Sequence, residues 1–317
     1  LKDKNINENR VSLTPDLIKI FQRLNLDVVV QDGAGITSGY PNELYLESGA
    51  KIVSRKECLN SDICLCVRIP DENDLNNLKQ ESVLIGILNP YENKKYINTL
   101  NNKKIISCCM ELIPRISRAQ SMDVLSSQAN LAGYRSVIDA AEQFGKAFPM
   151  MMTAAGRVNP AKVMVLGVGV AGLQAIATAK RLGAIVSATD VRSATKEQVE
   201  SLGGKFIMVD EEEGSVGETE GGYAKEMSED YKKKQAKLIA ETIAKQDIVI
   251  CTALIPGKTA PTLISQDMVE SMAPGSVVVD LAVEAGGNCP LSELGKVIDH
   301  KGVKILGYAN VPGRVAK

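Results

Sequence analysis

The chain is 317 residues long, about twice an ordinary domain, so two domains with separate cores are expected. Apolar residues make up 44% and charged residues 24%, and 37 basic against 38 acidic side chains leave a net charge of −1. That balance supplies no field to steer nucleic acid or an anionic surface, which argues against a polyanion partner. With no run of about 18 apolar residues and no signal-peptide pattern, the chain as given reads as soluble, with no segment spanning a bilayer. Its ends, Leu1-Lys2-Asp3-Lys4 and Gly313-Arg314-Val315-Ala316-Lys317, lack a natural start or terminator and read as those of an excised piece.

From 27 to 110, short β-rich runs alternate with helical patterns, which predicts βαβ units and a parallel sheet. The strands are expected at 28–30, 63–67, 83–88 and 104–107. Thr14-Pro15-Asp16 supplies an N-cap, a first-turn proline and an acid ahead of Leu17, Ile18, Phe21 and Leu24 at helical spacing. Asn89-Pro90 repeats the cap and proline before a helix over 91–100. The stretch 121–145 reads as a connecting helix into the second domain, with Ala129, Ala132 and Gly133 suited to close packing. Seven cysteines, Cys58, Cys64, Cys66, Cys108, Cys109, Cys251 and Cys289, form an odd set lying mostly in apolar strand-like runs. They read as reduced core thiols, and no metal site is proposed.

Strands near 162–166, 185–189, 205–209, 247–251, 276–281 and 303–307, separated by room for crossover helices, fit a doubly wound sheet of six parallel-type strands. Residues 210–231 break this rhythm: acidic, Gly-rich and without an apolar face, they read as a mobile loop, either functional or a solvated insertion.

The first of these strands, Lys162-Val163-Met164-Val165-Leu166, enters Gly167-Val168-Gly169-Val170-Ala171-Gly172, which opens a helix. A second strand follows, with Asp190 at its end, 18 residues after Gly172. A bare GxGxxG is weak, but strand, glycine turn, helix, strand and acid in succession point to dinucleotide binding, with the pyrophosphate at the helix N-terminus. Gly167 permits the turn, Gly169 lets phosphate approach the backbone, and Gly172 lets helix and strand pack closely. Asp190 suits ribose hydroxyls and repels a 2′-phosphate, favouring NAD(H) over NADP(H), although Arg192, two residues on, suits a 2′-phosphate or an adenine face.

A dehydrogenase acting on an alcohol or amine moves a proton as well as a hydride, usually with His or Lys beside the nicotinamide. This chain has one histidine, His300, in what reads as an exposed helix end, and no lysine sits in a diagnostic context. Hydride transfer between two nicotinamides needs only aligned rings, and the residues lean that way.

The stretch from Glu111 through Pro114-Arg115-Ile116-Ser117-Arg118-Ala119-Gln120-Ser121-Met122-Asp123 to Ser126, Asn130 and Tyr134-Arg135 resembles the signature of domain I of proton-translocating NAD(P) transhydrogenase. Nearly the whole chain supports the resemblance. Glu8-Asn9-Arg10-Val11, Gly221-Gly222-Tyr223-Ala224-Lys225, the 252–258 and 280–288 segments, and Asn310-Val311-Pro312-Gly313-Arg314 all fit, while the family's extra N-terminal strand and C-terminal helix are missing. The resemblance implies two Rossmann-like doubly wound α/β domains, at 1–125 and 126–317, joined by the long helix with a cleft between them, the last residues returning towards the first domain. It implies direct hydride transfer from NADH to NADP⁺ on a partner, domain III, coupled to protons through a membrane-spanning domain II. A homodimer peripheral to a bacterial cytoplasmic or mitochondrial-type inner membrane is implied as well.

By the same resemblance, Arg115, Gln120, Asp123 and Ser126 hold the nicotinamide; on residue types alone they read first as a helix N-terminus with ordinary caps. Cofactor contacts are expected from Gly167, Gly169, Val170, Gly172, Asp190, Val191, Arg192, Ala253 and Leu254, with Tyr223 on a loop that closes over the nucleotide. Related alanine dehydrogenases share the fold and stand as the alternative. They carry a catalytic His where this chain has Asn89, a substrate Lys near Cys66 to Arg68, and an Asp where this chain has Glu284. A non-catalytic NAD-sensing module is the third reading.

Overall fold

The computed structural model describes residues 1–5, 7–209, 229–254 and 258–317; Tyr223 and the rest of 210–228 lie outside the described residues. The chain divides into two compact units, Leu1–Ser127 with Pro312–Lys317, and Gln128–Val311.

In the first unit the strands β1 (Val29–Gln31), β2 (Lys51–Val53), β3 (Ile63–Arg68), β4 (Val83–Ile87) and β5 (Ile106–Cys109) all pair parallel, as the alternating pattern predicts. They fall into two sheets, β1-β2 and β3-β4-β5, where the pattern predicts one. The helices α1 (Ile18–Arg23), α2 (Asn42–Glu47), α3 (Arg55–Leu59), α4 (Glu72–Asn77) and α5 (Lys94–Asn102) are short. Isolated helices of this length are marginal, so their stability comes from docking apolar faces. Around β1-β2 the core is Ile18, Val30, Ala34, Tyr45 and Ala50, and Tyr45 satisfies its buried hydroxyl by donating to the Leu13 carbonyl at 2.8 Å. Around β3-β4-β5 it is Cys64, Cys66, Leu75, Leu84, Leu100 and their neighbours.

Two helix starts differ from the sequence reading. Thr14 makes no side-chain cap, and Pro15–Leu17 is a 3₁₀ turn ahead of α1. Asn89 adopts φ +45°, and its helix begins only at Lys94. The cause is remote: Glu111 Oε1 accepts the N–H groups of Leu88 at 2.9 Å and Asn89 at 2.5 Å, binding that segment as a turn.

The long helix α6 (Val124–Gln143) is the expected connector and carries the chain into the second unit. There a hairpin of β6 (Met151–Thr153) and β7 (Gly156–Val158) precedes β8 (Lys162–Leu166), α7 (Val170–Arg181), β9 (Ile185–Thr189), α8 (Thr195–Ser201) and β10 (Lys205–Phe206). Then come α9 (Glu229–Ile243), β11 (Ile248–Cys251), α10 (Gln266–Glu270), β12 (Val277–Asp280), β13 (Val297–His300) and β14 (Val303–Leu306). The sheet order is β10-β9-β8-β11-β12-β14-β13, a doubly wound 3-2-1-4-5-6 arrangement with one further strand at the edge. That strand, β13, runs antiparallel to β14 and holds His300 opposite Val303. His300 is therefore a strand residue, not the helix end expected of it.

Alternate residues of the central strands feed two cores, as a sheet covered on both faces requires. Val163, Val165, Ile248, Ile250, Val277 and Val279 pack with α6 and α7 residues such as Val137, Ala140 and Ile176. Met164, Leu166, Val249, Cys251 and Val278 pack with Ile243, Val269 and Met272.

Candidate functional site

In a doubly wound sheet, ligands bind beyond the carboxyl ends of the strands where the strand order reverses, here between β8 and β11. The glycine turn leaves β8 at that point. Gly167 sits at φ +96°, which favours glycine, and a Cβ there would stand 2.8 Å from Thr252 Oγ1 at the end of β11. A Cβ on Gly172 would lie 2.0 Å from the Gly167 carbonyl oxygen, so any side chain would force α7 off β8. Gly169 differs: it is the N-cap of α7 with extended backbone, and nothing stands within 4 Å of where its Cβ would be. This open space at a helix N-terminus is where an anionic group is best received. Behind the turn, Gly133 of α6 lets the two helices touch, since a Cβ there would come within 2.0 Å of the Ala171 carbonyl.

Asp190 follows β9. Its carboxylate accepts the Val168 N–H at 2.7 Å, the Arg192 N–H at 2.9 Å, and both Nε and Nη2 of Arg192 at 2.9 Å. Burial opposes its charge, but the Arg192 guanidinium and the two backbone donors outweigh that and hold its pKa below the usual aspartate value. Val170, Val191 and Leu254 are exposed.

Thr252, Asp280 and Asn288 support this edge, and in the sequence only the family motif that contains them stands out. Thr252 Oγ1 donates to the Gly167 carbonyl at 2.9 Å, tying the turn to β11. The buried Asn288 amide holds Ala253 on both sides, accepting its N–H at 3.1 Å and donating to its carbonyl at 2.9 Å. Asp280 in turn fixes Asn288 by accepting its N–H at 2.9 Å, along with the N–H of Cys289 and the hydroxyl of Ser292. The bonds of Thr252 and of the Asn288 amide join residues 27 to 86 positions apart, so no local pattern announces them.

In the first unit, Arg115, Gln120, Asp123 and Ser126 line one recess of about 370 Å³ with Pro114, Ile116, Ser117 and Ala119. Asp123 caps α6: Oδ1 accepts the Ser126 N–H at 2.9 Å and Oδ2 the Ser126 hydroxyl at 2.6 Å. These two bonds, with the Arg115 charge, lower its pKa. The helix-cap role is thus real for Asp123 and Ser126. Arg115 and Gln120 are exposed, and their side chains make no hydrogen bond among the described residues.

His300 is elsewhere. It lies opposite the first residue of β14, at the amino edge of the sheet, with Nε2 2.9 Å from Glu270 Oε1, whereas the glycine turn is at the carboxyl edge.

A strand-turn-helix nucleotide cradle of this kind, on a doubly wound sheet, defines a Rossmann-type nucleotide-binding protein. Family models for the alanine dehydrogenase/PNT N-terminal and C-terminal domains match residues 1–132 and 136–317, and the chain belongs to that family. It is 54% identical over 322 residues to the first of the polypeptides that make up NAD(P) transhydrogenase subunit alpha in Rhodospirillum rubrum, covering 99% of this chain and 84% of that one. The crystal structure of transhydrogenase from Sinorhizobium meliloti superposes with a TM-score of 0.90 at 50% identity, covering 100% and 87% of the two chains. Alanine dehydrogenase of Methanococcus maripaludis is 28% identical over 323 residues, 98% of this chain and 80% of that one. Among the described residues no helix is long and apolar enough to cross a membrane.

Proposed function

We propose that this chain is the NAD(H)-binding component of a proton-translocating NAD(P) transhydrogenase, passing hydride directly from NADH to NADP⁺ held by a partner domain. The observation that carries this reading is the pairing of a complete dinucleotide cradle with a site that has no histidine. The chain's one histidine is engaged with Glu270 at the far edge of the sheet, and among the described residues no lysine lines the recess around Arg115. Reducing a carbonyl or imine needs a proton donor beside the nicotinamide, whereas ring-to-ring transfer needs alignment alone. The 54% identity to a transhydrogenase subunit, against 28% to an alanine dehydrogenase, supports the same choice.

In this reading Gly167, Gly169, Val170 and Gly172 take the pyrophosphate, Asp190, Val191 and Arg192 the adenosine, and Ala253 and Leu254 flank the nucleotide. Arg115, Gln120, Asp123 and Ser126 fix the nicotinamide and reach towards the partner's nucleotide. NADP(H) sits on domain III, and a membrane-spanning domain II conducts the protons. The complex stands at a bacterial cytoplasmic or mitochondrial-type inner membrane. A homodimer is also proposed; the exposed Met150, Met151 and Met152 at the β6-β7 hairpin are apolar surface that such a contact would bury.

The test is a mixing assay with 4-deuterated NADH. The chain alone binds NADH and turns over almost nothing; adding a purified NADP(H)-loaded domain starts transfer, and the label moves to the second nucleotide without reaching water. Deuterium in water defeats direct transfer between the two rings, and oxidation of NADH with pyruvate and ammonia and no partner, with the label on the α-carbon of alanine, restores the alanine dehydrogenase reading. Cofactor choice follows from Asp190: NADH binds more tightly than NADPH, and Asp190→Ala narrows the gap. Equal affinities in the unmodified chain, by calorimetry, defeat that assignment.

A further inference from the structure

We infer that the guanidinium of Arg192 occupies the two acceptor positions on Asp190 that an adenosine ribose diol takes, so that nucleotide binding must displace it; this rests on the dinucleotide reading above. An ionised carboxylate offers about four lone-pair sites, two on each oxygen. In Asp190 all four are filled. Oδ1 receives the Arg192 backbone N–H and Nε, both at 2.9 Å, and Oδ2 receives the Val168 N–H at 2.7 Å and Nη2 at 2.9 Å.

The four donors are of two kinds. The backbone N–H groups of Val168 and Arg192 belong to the glycine turn and the strand end, and they stay with the fold and aim the carboxylate. The guanidinium donors sit on a long side chain with several rotatable bonds, one donor to each oxygen. Vicinal 2′ and 3′ hydroxyls present the same pattern, two donors side by side, and Asp190 has no further site for them. The Asp190 side chain is 6% exposed and the Arg192 side chain 26%.

The exchange replaces hydrogen bonds between opposite charges with hydrogen bonds in which only the acceptor is charged, which are weaker. Arg192 therefore lowers the value of the ribose hydroxyls to binding, acting as a specificity-setting side chain that competes with the ligand. Its effect is confined to the hydroxyls, which separates this role from any attraction between the arginine and the phosphates.

The experiment compares ADP with 2′,3′-dideoxy-ADP by calorimetry on the 317-residue chain, because the ratio of their affinities cancels whatever Arg192 does to phosphate or adenine. In Arg192→Ala and Arg192→Gln the preference for ADP over the dideoxy form should rise about three- to tenfold over the unmodified chain. The Gln variant keeps the side-chain stem, so the test stands if the Ala variant folds poorly. In an Asp190→Asn background, removing Arg192 should leave the preference within about twofold, since the acceptor pair is gone. A preference that is unchanged or falls in both Arg192 variants overturns the inference: the guanidinium then keeps its place, or contacts the bound nucleotide. An unmodified chain that binds neither NADH nor ADP overturns the dinucleotide reading and this inference together, whereas binding without the rise overturns this inference alone.

Discussion

Replacing Gln120 by alanine should lower hydride transfer to a partner's NADP⁺ about a hundredfold while leaving NADH affinity within about threefold, because misplacing a reacting ring by about 1 Å costs that much in rate. Gln120 is exposed and its side chain is held by no hydrogen bond among the described residues, so its loss should not disturb the fold. Asp123 needs two variants, because it caps α6 through the Ser126 N–H at 2.9 Å. Asp123→Ala removes that cap and should cost about 1 kcal/mol of stability as well as rate. Asp123→Asn keeps an acceptor oxygen for the helix and should hold stability within about 0.5 kcal/mol while transfer still falls. Single-turnover transfer rates, calorimetric NADH affinities and thermal melts of the same preparations separate these effects. If rate and affinity fall in step, the recess contributes only ground-state binding; if Asp123→Asn transfers at the unmodified rate, Asp123 is a helix cap and nothing more.

Gly172→Ala should abolish NADH binding and destabilise the second unit, whereas Gly169→Ala should weaken binding and leave stability alone. A Cβ at Gly172 meets the Gly167 carbonyl oxygen at 2.0 Å and carbon at 3.0 Å, both backbone, so α7 must move away from β8. Overpacking of this kind costs about 1–3 kcal/mol or more, roughly 3–10 °C in melting temperature for a unit of this size. Moving α7 also carries its N-terminal N–H groups out of reach of a pyrophosphate, so affinity should fall by about a hundredfold or more. At Gly169 the backbone is one that alanine adopts freely and the space for its methyl is empty. The methyl would stand where phosphate approaches, so binding should weaken about tenfold with the melt within about 1 °C. Melting and NADH titration of both variants check the pair. A stable, NADH-binding Gly172→Ala protein would remove the close helix–strand contact as the reason for that glycine.

What could be read in the amino-acid sequence was whatever depends on neighbours. The β8–glycine turn–α7–β9–Asp190 succession is local, because each glycine serves a turn or a contact a few residues away, and the central strands β8, β11 and β12 are apolar runs that need no partner to be recognised. The parallel strands β1 and β3 to β5 were visible for the same reason, whereas β2 and the β6-β7 hairpin were not. The Asp123–Ser126 cap was legible as a cap, and its neighbours Arg115 and Gln120 as members of a family signature.

Other features were decided by residues far apart in the chain. Asn89-Pro90 has the composition of a helix start, yet the Glu111 carboxylate, 22 residues on, fixes its N–H in a turn. Val297–His300 lacks a strand's clear alternation and becomes one by pairing with β14, which carries His300 to the sheet edge away from the nucleotide cradle. Asp190 and Arg192 could be named from the sequence as alternatives for the ribose end, but not as one bonded pair. Only the folded turn, by bringing the Val168 N–H to the same carboxylate, fills the last of its acceptor sites. Hydrophobic pattern and turn chemistry act over a few residues and so leave their mark in order along the chain. Hydrogen bonds that close distant segments have no such spacing, and they came into being only when the fold brought their partners together.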